Sequence, residues 1–245
     1  MILFLTSSPC DDNVPQGVYL PCILNSANGF VGQLAACWKP DARLLIVSAD
    51  PHNAPLNDEM LATFRDAFAF HGLSVGSATL LDARNEQRAA TLVAISDVIL
   101  LAGGHVPTQL AFFEQIGLRK LLRRFTGVVI GVSAGSMNSA ETVYAQPEEP
   151  GESIDPQYVR FPQGLGLTDV MILPHLQKAR HSILDGRRLF DDITLEDSAG
   201  RRFIAIPDGS YGLVRAGRAT LFGEGWLIAD GQMEKVCEDG QTLNL

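Results

Sequence analysis

The sequence predicts an α/β fold in which a mostly parallel sheet lies between layers of helices. Short apolar runs alternate with longer segments of helical periodicity as far as residue 173, and this alternation is typical of a parallel sheet covered on both faces. Two of the apolar runs end in glycines, at Gly103-Gly104 and at Gly131, as strands often do where the chain turns into a helix. Beyond Arg202, short runs separated by Gly and Asp turns predict a C-terminal antiparallel meander on one sheet edge.

The apolar runs and the helical periodicity give approximate bounds for each element. Strands are predicted at about residues 2–5, 43–48, 74–80, 98–101, 127–131 and 170–173, and the meander at 203–206, 211–214, 219–222 and 226–228. Helices are predicted at about residues 28–38, 56–71, 84–95 and 108–124. Because no linker, repeat or low-complexity segment interrupts the chain, residues 1–245 are predicted to form one domain.

Composition limits the classes of partner. A chain of 245 residues that is 46% apolar can bury a full core. Its net charge of −9 disfavours nucleic acid and anionic membranes as partners. No segment reaches the ~20 apolar residues that are needed to span a bilayer, and the apolar run at residues 1–5 is expected to be a first strand and not a signal peptide. The four cysteines include no Cys-x-x-Cys pair and are typical of reduced residues in a cytosolic protein, so a cytoplasmic location is expected.

The candidate nucleophile is Ser133. It lies at the centre of Gly131-x-Ser133-x-Gly135, directly after a run that has the composition of a buried strand. Two glycines leave room for a sharp strand-to-helix turn that exposes the serine hydroxyl above the sheet edge, which is the arrangement of a nucleophile elbow. The same motif also occurs by chance at ordinary turns, so its context has to agree.

The context includes a candidate oxyanion site. The run at 98–101 ends at Gly103 and Gly104, and the ends of parallel strands meet at the edge where open α/β folds bind their ligands. A backbone N–H of Gly103 or Gly104, together with that of Ala134 after the nucleophile, would stabilise a developing oxyanion.

The candidate base is chosen from five histidines. His175 follows a strand-like run that Pro174 ends, and we expect it at the same sheet edge as Ser133. His181 is a weaker candidate in a polar segment, and His105, beside the glycines, is more plausible as a substrate-pocket residue.

The third member of a triad would be an acid. Nucleophile elbows have the chain order serine, acid, histidine, and the candidates in that interval are Glu141, Glu148, Glu149, Glu152 and Asp155. Most of them lie in a stretch rich in Pro and Glu, which is ordinarily a solvated loop, so the residues alone do not choose among them.

These motifs resemble the peptidase E family of serine peptidases, the aspartyl dipeptidases, whose wider relatives include cyanophycinases. The resemblance runs from about Leu44 to about Val214 and is strongest at Leu101-Ala102-Gly103-Gly104, at the Ser133 motif, and at Leu173-Pro174-His175-Leu176. It implies a flavodoxin-like fold similar to that of the class I glutamine amidotransferases, with serine in place of their cysteine. It implies hydrolysis of small peptides, with neither a cofactor nor a metal.

The resemblance also implies residue roles. The family's nucleophile falls on Ser133, its oxyanion glycine on Gly103 or Gly104, and its histidine on His175. Its acid, about fifteen residues after the serine, falls on Glu148, where this chain has Pro-Glu-Glu-Pro in place of the family's aspartate. An arginine that holds the aspartyl side chain of the substrate falls on Arg180, with Arg187 and Arg188 as rivals.

Two alternatives stay open at this point. A divergent relative would keep the fold and the pocket as a small-molecule binding or interaction module, which the missing aspartate favours and the intact Ser, Gly and His spacing opposes. An esterase of the α/β-hydrolase type is disfavoured, because the interval from Glu148 to His175 is short and there is no His-Gly-Gly-Gly oxyanion loop. A homodimer is neither required nor excluded.

Overall fold

The computed structural model describes residues 1–11 and 13–245. The strands are Ile2–Thr6 (β1), Cys10–Asp11 (β2), Ile23–Leu24 (β3), Ala42–Val47 (β4), Val75–Leu81 (β5), Val98–Leu101 (β6), Val128–Val132 (β7), Met171–Leu173 (β8), Ile183–Leu184 (β9), Arg187–Arg188 (β10), Arg202–Ala205 (β11), Tyr211–Arg215 (β12), Arg218–Phe222 (β13), Gly225–Ala229 (β14), Gln232–Cys237 (β15) and Thr242–Asn244 (β16). The α-helices are Phe30–Ala35 (α1), Ala54–Phe70 (α2), Ala89–Ile95 (α3), Val106–Gln115 (α4), Leu118–Leu122 (α5), Ala134–Met137 (α6), Leu176–Ala179 (α7) and Leu195–Asp197 (α8). Short 3-10 helices lie at Ala27–Gly29 and Glu86–Arg88, and a π-helix lies at Leu189–Thr194.

The central sheet has eight strands in the order β16-β13-β12-β1-β7-β6-β4-β5. Strands β1, β7, β6, β4 and β5 are parallel, and β12, β13 and β16 continue the sheet in antiparallel pairing. Both faces are buried, because Leu3 and Leu5 of β1 belong to one apolar cluster and Phe4 belongs to another. The predicted fold class, a mostly parallel sheet between helices with additional antiparallel strands, is confirmed.

A second sheet of four strands has the order β15-β14-β11-β8. The meander is therefore divided between two sheets, where the sequence predicted a single sheet edge. The reason is that β12–β13 and β14–β15 are separate hairpins, which close at Ala216-Gly217 and Asp230-Gly231 with positive φ at both turn residues. Such two-residue turns make each hairpin a self-contained unit, and each unit joins a different sheet.

The second sheet also contains β8, which pairs in parallel with β11. The strand that leads to His175 was expected in the central sheet, and that expectation was wrong. The second sheet packs against helix α6 through a third apolar cluster, in which Met137 of α6 lies with Leu173 of β8, Leu176 of α7 and Phe203 of β11. This cluster brings the end of β8 to the elbow after β7.

The helix predicted over residues 108–124 is two helices, α4 and α5. Gly117 separates them with a φ of 65°, a left-handed conformation that ends a helical run. None of the described helices is long and apolar enough to cross a membrane.

Candidate active site

Ser133 lies at a sharp turn between β7 and α6. Its backbone has φ 48° and ψ −110°, a conformation that is costly for a residue with a side chain and that is found mainly at functional sites. Its N–H donates to the carbonyls of Thr6 and Ser7 at 3.0 and 3.1 Å, so the end of β1 holds the turn in place. The predicted elbow geometry is therefore present around the candidate nucleophile.

The two glycines of the motif are required by close packing. A Cβ at Gly131 would lie 2.7 Å from the Cα of Ser136, and one at Gly135 would collide with the carbonyl oxygen of Leu101 at the end of β6. Helix α6 can therefore approach the sheet only because both positions have no side chain.

His175 directly follows Pro174 at the end of β8 and precedes α7. Its Nε2 lies 2.7 Å from the Oγ of Ser133, although the two residues come from different sheets. Its φ of 141° is strained for a residue other than glycine. The strained backbone turns the ring from the second sheet towards the nucleophile.

The carboxylate that contacts His175 belongs to Asp208. Its Oδ1 lies 3.0 Å from the Nδ1 of His175, and its Oδ2 accepts a hydrogen bond of 2.5 Å from the side-chain amide of Gln177. The assignment of this position to Glu148 is therefore corrected. Glu148 comes from the segment before β8, whereas Asp208 follows β11, the parallel neighbour of β8.

A sequence signal for Asp208 existed and was missed. The run into His175 reads Leu173-Pro174-His175, and the run into the acid reads Ile206-Pro207-Asp208, with the same order of apolar residue, proline and polar residue. The chain order of nucleophile-elbow hydrolases places the acid before the histidine, whereas Asp208 lies beyond it.

Asp208 is poised to act as an anion. Burial raises its pKa, but hydrogen bonds from His175 and Ser7 and the nearby charges of His175 and Lys178 outweigh burial and lower the pKa below its ordinary value. An ionised Asp208 accepts the Nδ1–H of His175, which leaves Nε2 free to accept the hydroxyl proton of Ser133.

Glu148 occupies a different position beside the site. Much of its side chain is in contact with solvent, yet the surrounding protein limits hydration of the carboxyl group and raises its pKa to about 7. The charge of Glu152 raises this pKa further, whereas His105 and His175 oppose the shift. Glu148 therefore titrates near neutral pH beside the site. Among the described residues, its carboxylate makes no hydrogen bond with His175.

His105, the expected pocket residue, is used to anchor segment 148–152. Its Nε2 lies 2.8 Å from Glu152 and its Nδ1 lies 2.8 Å from Thr108. Ligand atoms of His105, Glu149 and Glu152 lie within 4.8 Å of one another, a spacing suited to a metal ion. Both ring nitrogens of His105 already have protein partners, and Glu152 also accepts the N–H groups of Glu148 and Glu149. The ligand atoms of His105 and Glu152 are therefore already engaged by the protein.

The glycines after β6 lie beside the nucleophile. A Cβ on Gly103 would be 3.3 Å from the Cβ of Ser133. Within the described part of the chain, the N–H groups of Gly103 and Gly104 donate to no protein acceptor. The N–H of Ala134 lies in the first turn of α6, where such groups have no partner within the helix. Gly103 thus lies beside Ser133, and the N–H groups of Gly103, Gly104 and Ala134 stay the predicted oxyanion donors.

Arg180 is not brought to the reacting groups. Its exposed guanidinium lies over the ring of Trp226, 5.1 Å from the ring centroid, and within the described residues it makes no hydrogen bond to Ser133 or His175. The predicted role of Arg180 in holding a substrate carboxylate therefore has no support in the geometry. The rivals Arg187 and Arg188 pair with acidic side chains, Arg187 with Glu196 and Arg188 with Asp191 and Asp192.

Comparison with known proteins gives a family match over most of the chain. The family model of peptidase family S51 matches residues 45–222, which include the glycines after β6, the elbow serine, His175 and Asp208. The chain belongs to peptidase family S51. It is a serine peptidase, and the predicted relation to peptidase E is confirmed.

A solved structure shows the same fold as this family S51 chain. It is a putative peptidase E protein from Listeria monocytogenes EGD-e, with a TM-score of 0.57 and 15% sequence identity, and the match covers 96% of this chain and 98% of that one. At this identity the likeness concerns the fold alone. No curated protein matches the sequence.

Proposed function

We propose that this serine peptidase hydrolyses small peptides through Ser133, His175 and Asp208. His175 Nε2 takes the proton of Ser133 as its Oγ attacks the scissile carbonyl, and Asp208 stabilises the resulting imidazolium. The N–H groups of Gly103 or Gly104 and of Ala134 stabilise the oxyanion. The imidazolium then protonates the leaving amine, and water releases the acyl group from Ser133 by the reverse proton path.

One observation carries the proposal. Ser133 Oγ, the two ring nitrogens of His175 and Asp208 Oδ1 form a continuous line of hydrogen bonds, with steps of 2.7 and 3.0 Å on either side of the ring. A serine that only begins a buried helix, or that only packs at a turn, would not require these hydrogen bonds to a histidine and an aspartate. It supports a working hydrolase over a relative that keeps only the pocket.

The surroundings of the nucleophile favour a small substrate. Segment 148–152 walls one side of the site, where Glu148 interacts electrostatically with His175. The C-terminal end of this segment is anchored, since Glu152 contacts His105 and the N–H of Gly151 donates to Asp185 at 2.8 Å, and Glu152 in turn accepts the N–H of Glu148. Because this anchored segment lies beside His175, we infer that the site accepts a small peptide more readily than a folded protein.

The charges around the site favour a cationic group on the substrate. Next to Ser133, Gly103 also lines a cavity of about 330 Å³ whose wall contains Asp50 and Glu149, and no lysine or arginine is among the described residues that line it. We therefore propose that the substrate is a peptide with a free amino terminus. Its ammonium group would face the carboxylates of Glu148 and Glu149.

A panel of dipeptides tests this substrate class. We expect kcat/KM for Lys-Ala to exceed that for Asp-Ala by about tenfold or more, because carboxylates beside the site repel an aspartyl side chain. Ala-Ala should fall between them, and N-acetylated Ala-Ala, without an ammonium group, should be a poor substrate. Chromatographic measurement of the released alanine gives the rates. A clear preference for Asp-Ala would restore the aspartyl specificity that the family resemblance implies.

The pH dependence of KM tests the role of Glu148. Its raised pKa of about 7 makes it neutral below that pH and anionic above it. We expect KM for Ala-Ala to fall several-fold as pH rises from about 6 to about 7.5, while the peptide ammonium stays largely protonated. Glu148→Gln should remove this fall, and Glu234→Gln, an exposed control on β15, should keep it. A KM that is independent of pH in the wild type would separate Glu148 from substrate binding.

A further inference from the structure

Ser7 lies at the junction of all three proposed catalytic residues. It follows β1, and no part of it is exposed to solvent. Its carbonyl accepts the N–H of Ser133, and its hydroxyl contacts both other residues, with Oγ 2.9 Å from His175 Nδ1 and 2.5 Å from Asp208 Oδ1. One buried serine thus contacts the elbow, the base and the acid.

The hydroxyl of Ser7 completes a triangle with His175 and Asp208. The third side, from Nδ1 to Oδ1, measures 3.0 Å. The ionised carboxylate has no proton to give, so the hydroxyl donates to Asp208 and offers its lone pairs to the Nδ1–H of His175. The Nδ1–H therefore faces two acceptors on one side of the ring, and both favour the tautomer with a proton on Nδ1.

We propose that Ser7 is a fourth member of the site, a positioning residue that fixes the tautomer of His175 and the orientation of Asp208. This inference rests on the proposed function. The hydroxyl also takes up part of the negative charge of the carboxylate, as does the amide of Gln177 on the other oxygen. Three donors, Ser7, His175 and Gln177, thus hold the Asp208 carboxylate in position and stabilise its negative charge.

The test compares Ser7→Ala with the wild type. We expect kcat on Ala-Ala to fall about tenfold to a hundredfold, by analogy with the loss when a hydrogen-bond partner that orients a metal-bound histidine is removed. KM should stay within about twofold, because Ser7 does not touch the substrate. The acid side of the pH–kcat profile should move to lower pH, since an Asp208 carboxylate that Ser7 no longer orients stabilises the imidazolium less, and the Nδ1–H has lost one of its two acceptors. Lys178 and Glu148, the other charged neighbours of this pair, are unchanged in the variant.

Two further variants separate positioning from a general loss of packing. Ser7→Thr keeps the hydroxyl and should recover most of kcat. Ser198→Ala removes an equally buried hydroxyl that donates to the carbonyl of Leu195 and accepts the N–H of Gly231, and it should leave both kcat and the pH profile unchanged. Equal kcat and an equal pH profile in Ser7→Ala and wild type would overturn the proposal, as would a loss in Ser7→Ala that Ser7→Thr fails to recover although it is folded.

A measurement that needs no substrate keeps the two proposals apart. The ¹⁵N shifts of the His175 ring report which nitrogen holds the proton, and we expect Nδ1–H in the wild type and a mixture of tautomers in Ser7→Ala. If no dipeptide is cleaved and a serine-reactive phosphonofluoridate leaves Ser133 unlabelled, the proposed function fails, and the ring tautomer still decides the role of Ser7. An identical tautomer in both proteins would overturn the Ser7 proposal alone.

Discussion

Replacement of Ser133 by alanine is expected to lower kcat by about 10³-fold or more, because alanine has no oxygen to form the acyl intermediate. The measurement is hydrolysis of a cleaved dipeptide by purified Ser133→Ala, with mass spectrometry of wild-type enzyme after phosphonofluoridate treatment to locate the label. The label is expected on Ser133 and on no other serine.

The fold should survive this change. Alanine meets the same backbone strain as serine at φ 48°, and the N–H at this position still donates to the end of β1. The melting temperature of Ser133→Ala is therefore expected to stay close to that of the wild type, with Ser198→Ala as the matched serine control. Full hydrolysis by a folded Ser133→Ala would remove Ser133 from the reaction.

Replacement of Asp208 by asparagine is expected to lower kcat by about 10⁴-fold, the loss found when the acid of a serine triad becomes an amide that favours the wrong histidine tautomer. Glu148→Gln is the matched comparison, because it makes the same chemical change on the carboxylate that lies beside the site without a hydrogen bond to His175. We expect Glu148→Gln to keep kcat within about tenfold of the wild type.

The variant with the larger loss of kcat identifies the carboxylate that orients His175. Steady-state kinetics at a pH above the pKa of Glu148, with circular dichroism to verify folding, supply the comparison. A larger loss in Glu148→Gln than in Asp208→Asn would mean that the acid reaches the histidine from segment 148–152 when substrate is bound.

Features that depend on local sequence could be predicted well. The parallel strands were recognised because a strand buried on both faces is continuously apolar, as at Val98–Leu101, which begins and ends where expected. The elbow was recognised because Gly131 and Gly135 are needed within a few residues of Ser133. Gly117 shows the opposite case, since one left-handed glycine divided a segment whose helical periodicity was unbroken.

The acid depends on long-range strand pairing, which periodicity does not reveal. His175 and Asp208 meet because β8 and β11 are parallel neighbours, with Leu173 paired to Ala205 and the N–H of Ile206 bonded to the carbonyl of Leu173. Nothing within either strand specifies its partner or its sheet. Glu148 was chosen by its distance along the chain from Ser133, and distance along the chain does not determine distance in space.

The same limit applies to Arg180. Its partner, Trp226, lies on β14 of the second sheet, and a cation over an aromatic face is a favourable contact that sequence spacing cannot indicate. The family resemblance placed a substrate-binding arginine at Arg180, and the sequence does not reveal that β14 pairs with β11 in the second sheet.

The site is divided between the two sheets, since the nucleophile comes from the central sheet and its base and acid come from the second. Catalysis therefore requires the two sheets to remain docked, whereas neither sheet needs the other for its own ladder of backbone hydrogen bonds. Local opening between packed units costs less free energy than global unfolding. We therefore expect this peptidase to lose activity when the second sheet separates from the central sheet, while the amide protons of the central sheet are still protected from exchange. Its activity would then report whether the two sheets are docked, and not whether the whole fold is intact.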